Sequence, residues 1–189
     1  MTVIPLHAIW LAQDDPKKNT AVIASKRDDI VLHKKIKTLP KKGILLEPLS
    51  GKVFGPQDHH ILLEKNGHLV GLDCSWAQIE TSVELVTKTT RLVPRMLPLL
   101  LAANPVNWGK PTRLTTMEAI AATLYLLGNK QQAEQALRAF RWGKRFFELN
   151  QEPLDAYAKA ASSEELVNLQ FEFFDIDIFE TNEIKNDVE

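Results

Sequence analysis

The sequence predicts an α/β or α+β fold with a helical C-terminal half. Short apolar runs bounded by Pro, Gly, Asn and Asp fill the first 75 residues, and segments with helical periodicity dominate from Met96 onward. The 189 residues are 44% hydrophobic, which suits one domain or two small ones with a packed core. The single cysteine, Cys74, excludes an internal disulfide framework, so we expect a reducing, cytoplasmic compartment.

Three apolar runs predict buried strands, at residues 2–12, 43–48 and 69–74. Pro or Asp closes each of the first two runs, and an Asn-Gly turn precedes the third. Residues 21–24 are typical of a short helix or strand, whereas residues 30–39 mix apolar residues with Lys in a pattern that predicts no single element.

Helices are predicted after the third strand. Residues 76–86 follow that strand through Ser75, at the first point where polar side chains meet buried backbone. Thr115-Thr116-Met117-Glu118 is a capping-box pattern, in which a Thr side chain accepts from a backbone N–H and Glu118 reaches back. The helix that it opens, residues 117–127, ends at Gly128-Asn129. Further helices are predicted at residues 131–149, 153–161 and 164–174.

The formal net charge of −1 hides an asymmetry along the chain. The first 150 residues carry 21 Lys or Arg against 13 Asp or Glu, whereas the last 39 carry two Lys against 11 acids. A basic body with an acidic tail permits a polyanionic partner, although a solvated surface with a solubilising tail has the same composition. We expect a strand-rich part at residues 1–65, a second part with the helical C-terminus at residues 66–180, and an acidic flexible tail at residues 181–189.

Several classes of function lack their sequence signatures. The G-x-G-x-x-G, P-loop, H-E-x-x-H and G-x-S-x-G motifs are absent. No apolar run approaches the roughly 18–20 residues of a membrane span and no secretory signal is evident, so we expect no membrane association. His59 and His60 would point to opposite faces of a strand, away from a common ion with His68, so we expect no metal. Cys74 ends an apolar run, which is more typical of packing than of a nucleophile.

Four segments remain informative: residues 15–20, 72–76, 95–112 and 114–119. In this order they resemble the aminocarboxypropyltransferase family that modifies small-subunit ribosomal RNA (rRNA) in archaea and eukaryotes, and the resemblance extends from Asp15 to Tyr157. It implies an α/β fold similar to the knotted methyltransferases of the SPOUT class, with S-adenosylmethionine (SAM) bound by backbone loops. It also implies transfer of the 3-amino-3-carboxypropyl (acp) group to a uridine derivative, usually N3 of N1-methylpseudouridine. The implied partner is small-subunit rRNA or the pre-ribosomal particle, and the implied state is a monomer.

The resemblance implies six residues in contact with SAM. Thr20 and Thr116 would hold the amino-acid end, and a carboxylate suits the N–H groups and positive dipole end of a helix N-terminus, although Thr115 and Thr116 also serve simply as caps. Trp76 would pack against the aminocarboxypropyl chain and the sulfonium, because an indole face attracts a cation; the alternative is a core aromatic. Backbone groups of three further residues would bind ribose and adenine: Leu72, Leu97 and Thr112.

The acceptor N3 must lose a proton, and Asp73 is our candidate general base. A carboxyl at the end of an apolar strand loses solvation, which raises its pKa and suits it to proton transfer; alternatively, Asp73 only orders its loop. Six cations lie near these segments and are candidates for phosphate contacts: Lys17, Lys18, Arg91, Arg95, Lys110 and Arg113.

The sequence departs from the family pattern at four positions. Asn19 stands where Cys is common, Ala21 stands where Gly is common, and Trp108 and Thr112 each replace a frequent Tyr. Contacts made by backbone groups tolerate such changes. The replacement of Tyr by Thr112 puts a stacking role in doubt at that position, because Thr has no aromatic ring. Two alternative functions stay open, an RNA methyltransferase of the SPOUT type and a non-enzymatic RNA-binding factor of ribosome assembly.

Overall fold

Residues 2–12 and 15–175 are described by a computed structural model, with Trp76 described by its backbone alone. The strands are β1 (Leu6–Trp10), β2 (Val31–His33), β3 (Gly43–Leu46), β4 (His68–Asp73) and β5 (Val93–Arg95). They form a parallel sheet in the order β2-β1-β4-β3-β5, with Leu6 opposite Leu69 and Ile44 opposite both Leu69 and Val93. The carboxyl ends of all these strands therefore meet at one edge.

Helices cover both faces of the sheet, as burial of a parallel sheet requires. Between strands lie α1 (Thr20–Ser25), α2 (His59–Leu63) and α3 (Ile79–Thr89). After β5 come α4 (Thr116–Leu126), α5 (Lys130–Leu137), α6 (Gly143–Leu149), α7 (Gln151–Tyr157) and α8 (Ser163–Phe173). The larger core joins one sheet face to α1, α4 and the C-terminal helices. The smaller core, on the other face, joins Ile9, Leu45 and Val70 to Val86 of α3.

The α/β class and the helical C-terminal half are confirmed, and the three apolar runs form β1, β3 and β4. Residues 21–24 belong to helix α1. The strands that the sequence did not reveal, β2 and β5, are three-residue edge strands. An edge strand is exposed on one side and tolerates a proline such as Pro94, so it lacks the apolar pattern of a central strand.

Two local predictions are wrong. The single helix over residues 131–149 is interrupted between α5 and α6, where Phe140 N–H donates to the carbonyl of Leu137 and Gly143 N–H to that of Phe140. A Cβ on Gly143 would lie 2.3 Å from the Leu137 carbonyl oxygen, so the glycine lets α6 approach the end of α5. His59 and His60 lie in helix α2, not on a strand; the preceding turn is closed by Asp58, which accepts from Gly55 N–H at 3.3 Å.

Three histidines form a hydrogen-bonded row across the sheet. His7 Nδ1 lies 2.9 Å from His33 Nε2, and His7 Nε2 lies 2.7 Å from His68 Nδ1. Burial first, and then the two neighbouring imidazoles, lower the pKa of His7 to about 4. His7 is therefore neutral at pH 7 and donates to one neighbour while accepting from the other.

The division at residue 65 stays a prediction, and strands from both sides of it share the sheet, since β4 lies between β1 and β3. The tail at residues 181–189 lies outside the described residues. No described helix is both long and apolar enough to cross a bilayer.

Candidate functional site

A cavity of about 570 Å³ lies at the carboxyl ends of β3, β4 and β5. Ligands bind at this edge of open α/β sheets because the loops that follow the strands diverge there. The wall draws on residues within 15–20, 46–49, 72–74, 95–98 and 106–119, together with Ile79.

The cavity brings together most of the site residues expected from the sequence. Asp73 lines it, as do five of the residues implied for SAM: Thr20, Leu72, Leu97, Thr112 and Thr116. Trp76 begins a 3-10 turn three residues after the end of β4, and only its backbone is among the described parts of the chain. The four informative segments, distant in sequence, therefore meet around one space.

Asp73 is the last residue of β4 and is 7% exposed. Its Oδ1 accepts from Asn19 Nδ2 at 3.0 Å, and Asn19 Oδ1 accepts from Val22 N–H at 2.9 Å as the N-cap of α1. Asn19 therefore links the end of β4 to the start of α1 and holds the Asp73 carboxylate at the cavity wall. The sequence marked Asn19 only as a departure from the family pattern; its value as a helix cap was the signal for this role.

Gly71 allows α4 to reach the sheet beside this carboxylate. A Cβ at Gly71 would lie 2.5 Å from Thr116 Cγ2 and 3.5 Å from Ile120 Cδ1. Because glycine has no side chain, the first turn of α4 sits directly on β4, two residues before Asp73. The helix N-terminus and the carboxylate thus face the same cavity.

Glu118 is fully buried and fixes the start of α4. Its capping box with Thr115 forms as expected: Thr115 Oγ1 accepts from Glu118 N–H, and Thr115 N–H donates to Glu118 Oε2 at 2.7 Å. The same carboxylate accepts from the N–H groups of Ala103 (2.7 Å) and Asn104 (3.0 Å) and from Asn104 Nδ2 (2.8 Å). One buried charge therefore ties the helix N-terminus to the segment that precedes it.

That segment, residues 101–111, is the rim hairpin. An antiparallel bridge between Leu101 and Pro111 closes its base, and Ala102 exchanges backbone hydrogen bonds with Gly109 (2.7 Å) and Lys110 (3.0 Å). Thr112, immediately after it, has φ of +62°, a left-handed conformation unusual for a β-branched residue, and donates to the Leu100 carbonyl at 3.0 Å. Such strained backbone clusters at ligand sites, and the backbone role expected at this position stays a prediction.

Comparison with known proteins decides the family. A family model described as "Ribosome biogenesis protein, C-terminal" matches residues 44–174. The 16S rRNA aminocarboxypropyltransferase of Methanosarcina acetivorans is 44% identical over 167 residues, which cover 88% of this chain and 92% of that protein. This chain belongs to the 16S rRNA aminocarboxypropyltransferase family.

A second relative and a solved structure support the assignment. The 16S rRNA aminocarboxypropyltransferase of Vulcanisaeta distributa is 41% identical over 166 residues, covering 86% of this chain and 87% of the relative. The solved structure of the SAM-dependent rRNA:acp-transferase Tsr3 from Vulcanisaeta distributa has a TM-score of 0.75 and 37% identity, covering 90% of this chain and 96% of that one. The resemblance drawn from the sequence is confirmed, as is the expectation that the chain is a member of an enzyme family.

A second carboxylate at the cavity escaped the sequence analysis. Glu47 follows β3 directly, lines the cavity and is 4% exposed. Its Oε2 accepts from Leu49 N–H at 2.7 Å, and burial raises the pKa of its carboxyl despite that hydrogen bond. An acid immediately after a buried strand was the available signal, since Asp73 was selected on that pattern.

The six cations expected to contact RNA fall into different environments. Lys18 and Arg95 line the cavity, whereas Lys17, Arg91 and Lys110 are exposed outside its lining and Arg113 is half-buried. Arg95 forms a bidentate pair with Asp58, from Nε at 2.9 Å and Nη2 at 2.7 Å, and both side chains are largely buried. Because its guanidinium is bound to the Asp58 carboxylate within the wall of the cavity, Arg95 is better suited to position that wall than to contact a phosphate.

Among the described residues, no three His, Cys, Asp or Glu side chains are grouped so that they could hold a metal ion.

Proposed function

We propose that this protein transfers the acp group of SAM to N3 of pseudouridine or N1-methylpseudouridine in 16S rRNA. The observation that carries the proposal is one cavity, in a chain of this family, faced by both the N-terminus of α4 and the buried carboxylate of Asp73. The helix N-terminus suits the anionic amino-acid end of a co-substrate, and the carboxylate suits acceptance of a proton from the acceptor.

The lining fits SAM in size and in chemistry. A volume of about 570 Å³ falls within the range of small-molecule sites. The N-terminus of α4 and the hydroxyls of Thr20 and Thr116 would hold the carboxylate of the amino-acid end. Backbone groups near Leu72, Leu97 and Thr112 would bind ribose and adenine, and Trp76 would pack against the aminocarboxypropyl chain.

When bound, SAM supplies an electrophilic Cγ that forms a bond to N3 of the acceptor while the Cγ–S bond breaks and methylthioadenosine leaves. The choice of carbon is geometric, because attack at the methyl would give methylation instead. In our proposal, the protein holds the amino-acid end at α4 so that Cγ faces the RNA, and Asp73 accepts the N3 proton.

Replacing Asp73 with Asn tests the general base. The Asn side chain retains an oxygen that accepts from Asn19 Nδ2, so the wall of the cavity is kept while the basic carboxylate is lost. We expect single-turnover transfer to slow by about 100-fold or more, with SAM affinity measured by calorimetry changed little. Equal transfer rates in the two proteins would leave Asp73 only a role in ordering its loop.

Glu47→Gln is the matched control, because Glu47 is the other buried carboxylate named in this wall and is bound to Leu49 N–H. We expect it to leave the transfer rate near that of the wild type. The reverse result, with Glu47→Gln slow and Asp73→Asn normal, would move the proton acceptor to Glu47.

The remaining details of the proposal concern fold, partner and assembly. We propose a knotted SPOUT-like arrangement, supported by the parallel sheet and the structural neighbour, and a monomer acting on the pre-ribosomal particle in the cytoplasm. Arg95 is proposed to position the wall of the cavity. Phosphate contacts are proposed for the other five cations: Lys17, Lys18, Arg91, Lys110 and Arg113.

Isotope transfer distinguishes the proposed activity from both alternatives. The purified protein is incubated with 16S rRNA and with SAM labelled either in the carboxyl group or in the S-methyl group. Label from the carboxyl group alone supports acp transfer, and label from the methyl group alone would make the protein a methyltransferase. If the protein binds RNA but transfers neither label, whether to free 16S rRNA or to small-subunit particles at any stage of assembly, a non-enzymatic assembly factor is favoured.

A further inference from the structure

The tip of the rim hairpin exposes apolar side chains beside the cavity. Val106 is 76% exposed and Trp108 is 56% exposed, and Val106 and Asn107 line the cavity. Leu49, on the wall contributed by the chain after β3, is 49% exposed. Large apolar side chains grouped at the mouth of a site are typical of surfaces that bind a partner, whereas isolated ones need no such explanation.

The hairpin presents Trp108 on a rigid support. Asn104 Oδ1 accepts from Asn107 N–H at 3.0 Å, and Lys110 N–H donates to the Asn107 carbonyl at 2.9 Å. The base of the hairpin is held by the buried Glu118 carboxylate through Ala103 and Asn104. An aromatic side chain on a preformed turn loses little conformational entropy when it binds, which favours recognition over accidental exposure.

The positive charges beside Trp108 complement the negative phosphates of a nucleic-acid strand. Lys110 lies two residues further along the hairpin and is exposed, and Lys18 is exposed in the lining of the cavity. Asp15 is an exposed acid in the same lining, whereas Glu47 and Asp73 are buried. Proteins bind single strands with such a combination, because bases stack on aromatic rings while Lys side chains contact phosphates.

We propose that Trp108 stacks on a base of the RNA strand that flanks the nucleotide entering the cavity, with Lys110 at a neighbouring phosphate. The inference rests on the proposed function, in which RNA is the acceptor. A target base that leaves its stack to reach the cavity loses stacking with its neighbours, and the indole of Trp108 replaces part of that loss. The buried Glu118 carboxylate, which fixes the start of α4, therefore also supports the hairpin that positions the RNA.

Trp108→Ala tests the platform with a fluorescein-labelled single-stranded oligouridine as the probe. We expect the dissociation constant to rise about tenfold or more, as stacking on one aromatic side chain provides. Trp108→Tyr should retain most of the affinity, because a phenol ring also stacks. SAM affinity, measured by calorimetry, should be unchanged in both variants, since Trp108 is not part of the cavity lining.

Phe171→Ala is the matched control, because Phe171 is 64% exposed on α8 and does not line the cavity. It should leave oligouridine affinity unchanged. The platform is wrong if Trp108→Ala binds oligouridine as tightly as the wild type, if Phe171→Ala weakens binding equally, or if SAM affinity falls in parallel. Isotope transfer separates this inference from the proposed function. If Trp108→Ala transfers the acp group normally and binds oligouridine as the wild type does, the platform alone is rejected. If Trp108→Ala binds oligouridine more weakly but the wild type transfers no acp group, the proposed function alone is rejected.

Discussion

Replacing Glu118 with Gln removes the charge that holds together the N-terminus of α4 and the rim hairpin, with almost no change in side-chain shape. The carboxylate is fully buried and accepts four hydrogen bonds within the described part of the chain, two at each oxygen. Gln keeps one acceptor oxygen and places an NH₂ group where the other oxygen was. Either orientation therefore breaks two hydrogen bonds and sets donors against donors.

The expected cost follows from those two bonds. Hydrogen bonds to a charged group contribute about 1.5–3 kcal/mol each, so Glu118→Gln should lower the free energy of unfolding by about 3–6 kcal/mol. That is a large part of the roughly 5–15 kcal/mol typical of a folded domain. For a chain of this length the melting temperature should fall by roughly 6–24 °C.

Urea unfolding followed by circular dichroism measures this change. Glu148→Gln is the control: Glu148 bonds Arg145 at 2.8 Å and Lys144 at 3.4 Å, but its side chain is 39% exposed, so its loss should cost about 1 kcal/mol or less. If Glu118→Gln is no less stable than Glu148→Gln, the buried carboxylate does not hold the hairpin and the helix in place. If stability falls as expected, SAM affinity should fall with it, because the start of α4 loosens.

Two further predictions concern residues around the sheet. The pKa of His7 is lowered to about 4, so between its unfolded value of 6.5 and about 4 only the unfolded chain binds the extra proton, and the free energy of unfolding falls by at most about 3 kcal/mol as pH falls through that window. His7→Asn should show a shallower loss of unfolding free energy between pH 6.5 and 4.5. An identical slope in the two proteins would contradict the lowered pKa. Gly71→Ala should weaken SAM binding measured by calorimetry, because the new Cβ would lie 2.5 Å from Thr116 Cγ2 and push the start of α4 off the sheet; unchanged affinity would show that this close approach does not position the site.

The central strands could be predicted from the sequence because their side chains are buried on both faces. Residues 43–48 and 69–74 are nearly continuous apolar runs, which is the pattern of interior parallel strands. The capping box at Thr115 was equally clear, because both partners are three residues apart in sequence. The break between α5 and α6 was not, because the helical periodicity of residues 131–149 does not show that Gly143 approaches the Leu137 carbonyl.

The sequence by itself determined the family and most of the residues at the cavity, because those residues occur in four compact segments. Only the tertiary structure decided which side chains act together. Asn19 meets Asp73 across 54 positions, Arg95 meets Asp58 across 37, and Glu118 holds Asn104 in the preceding segment. Such partners depend on how strand ends and helix ends are brought to one edge of the sheet, and that arrangement leaves no periodic signal in the chain.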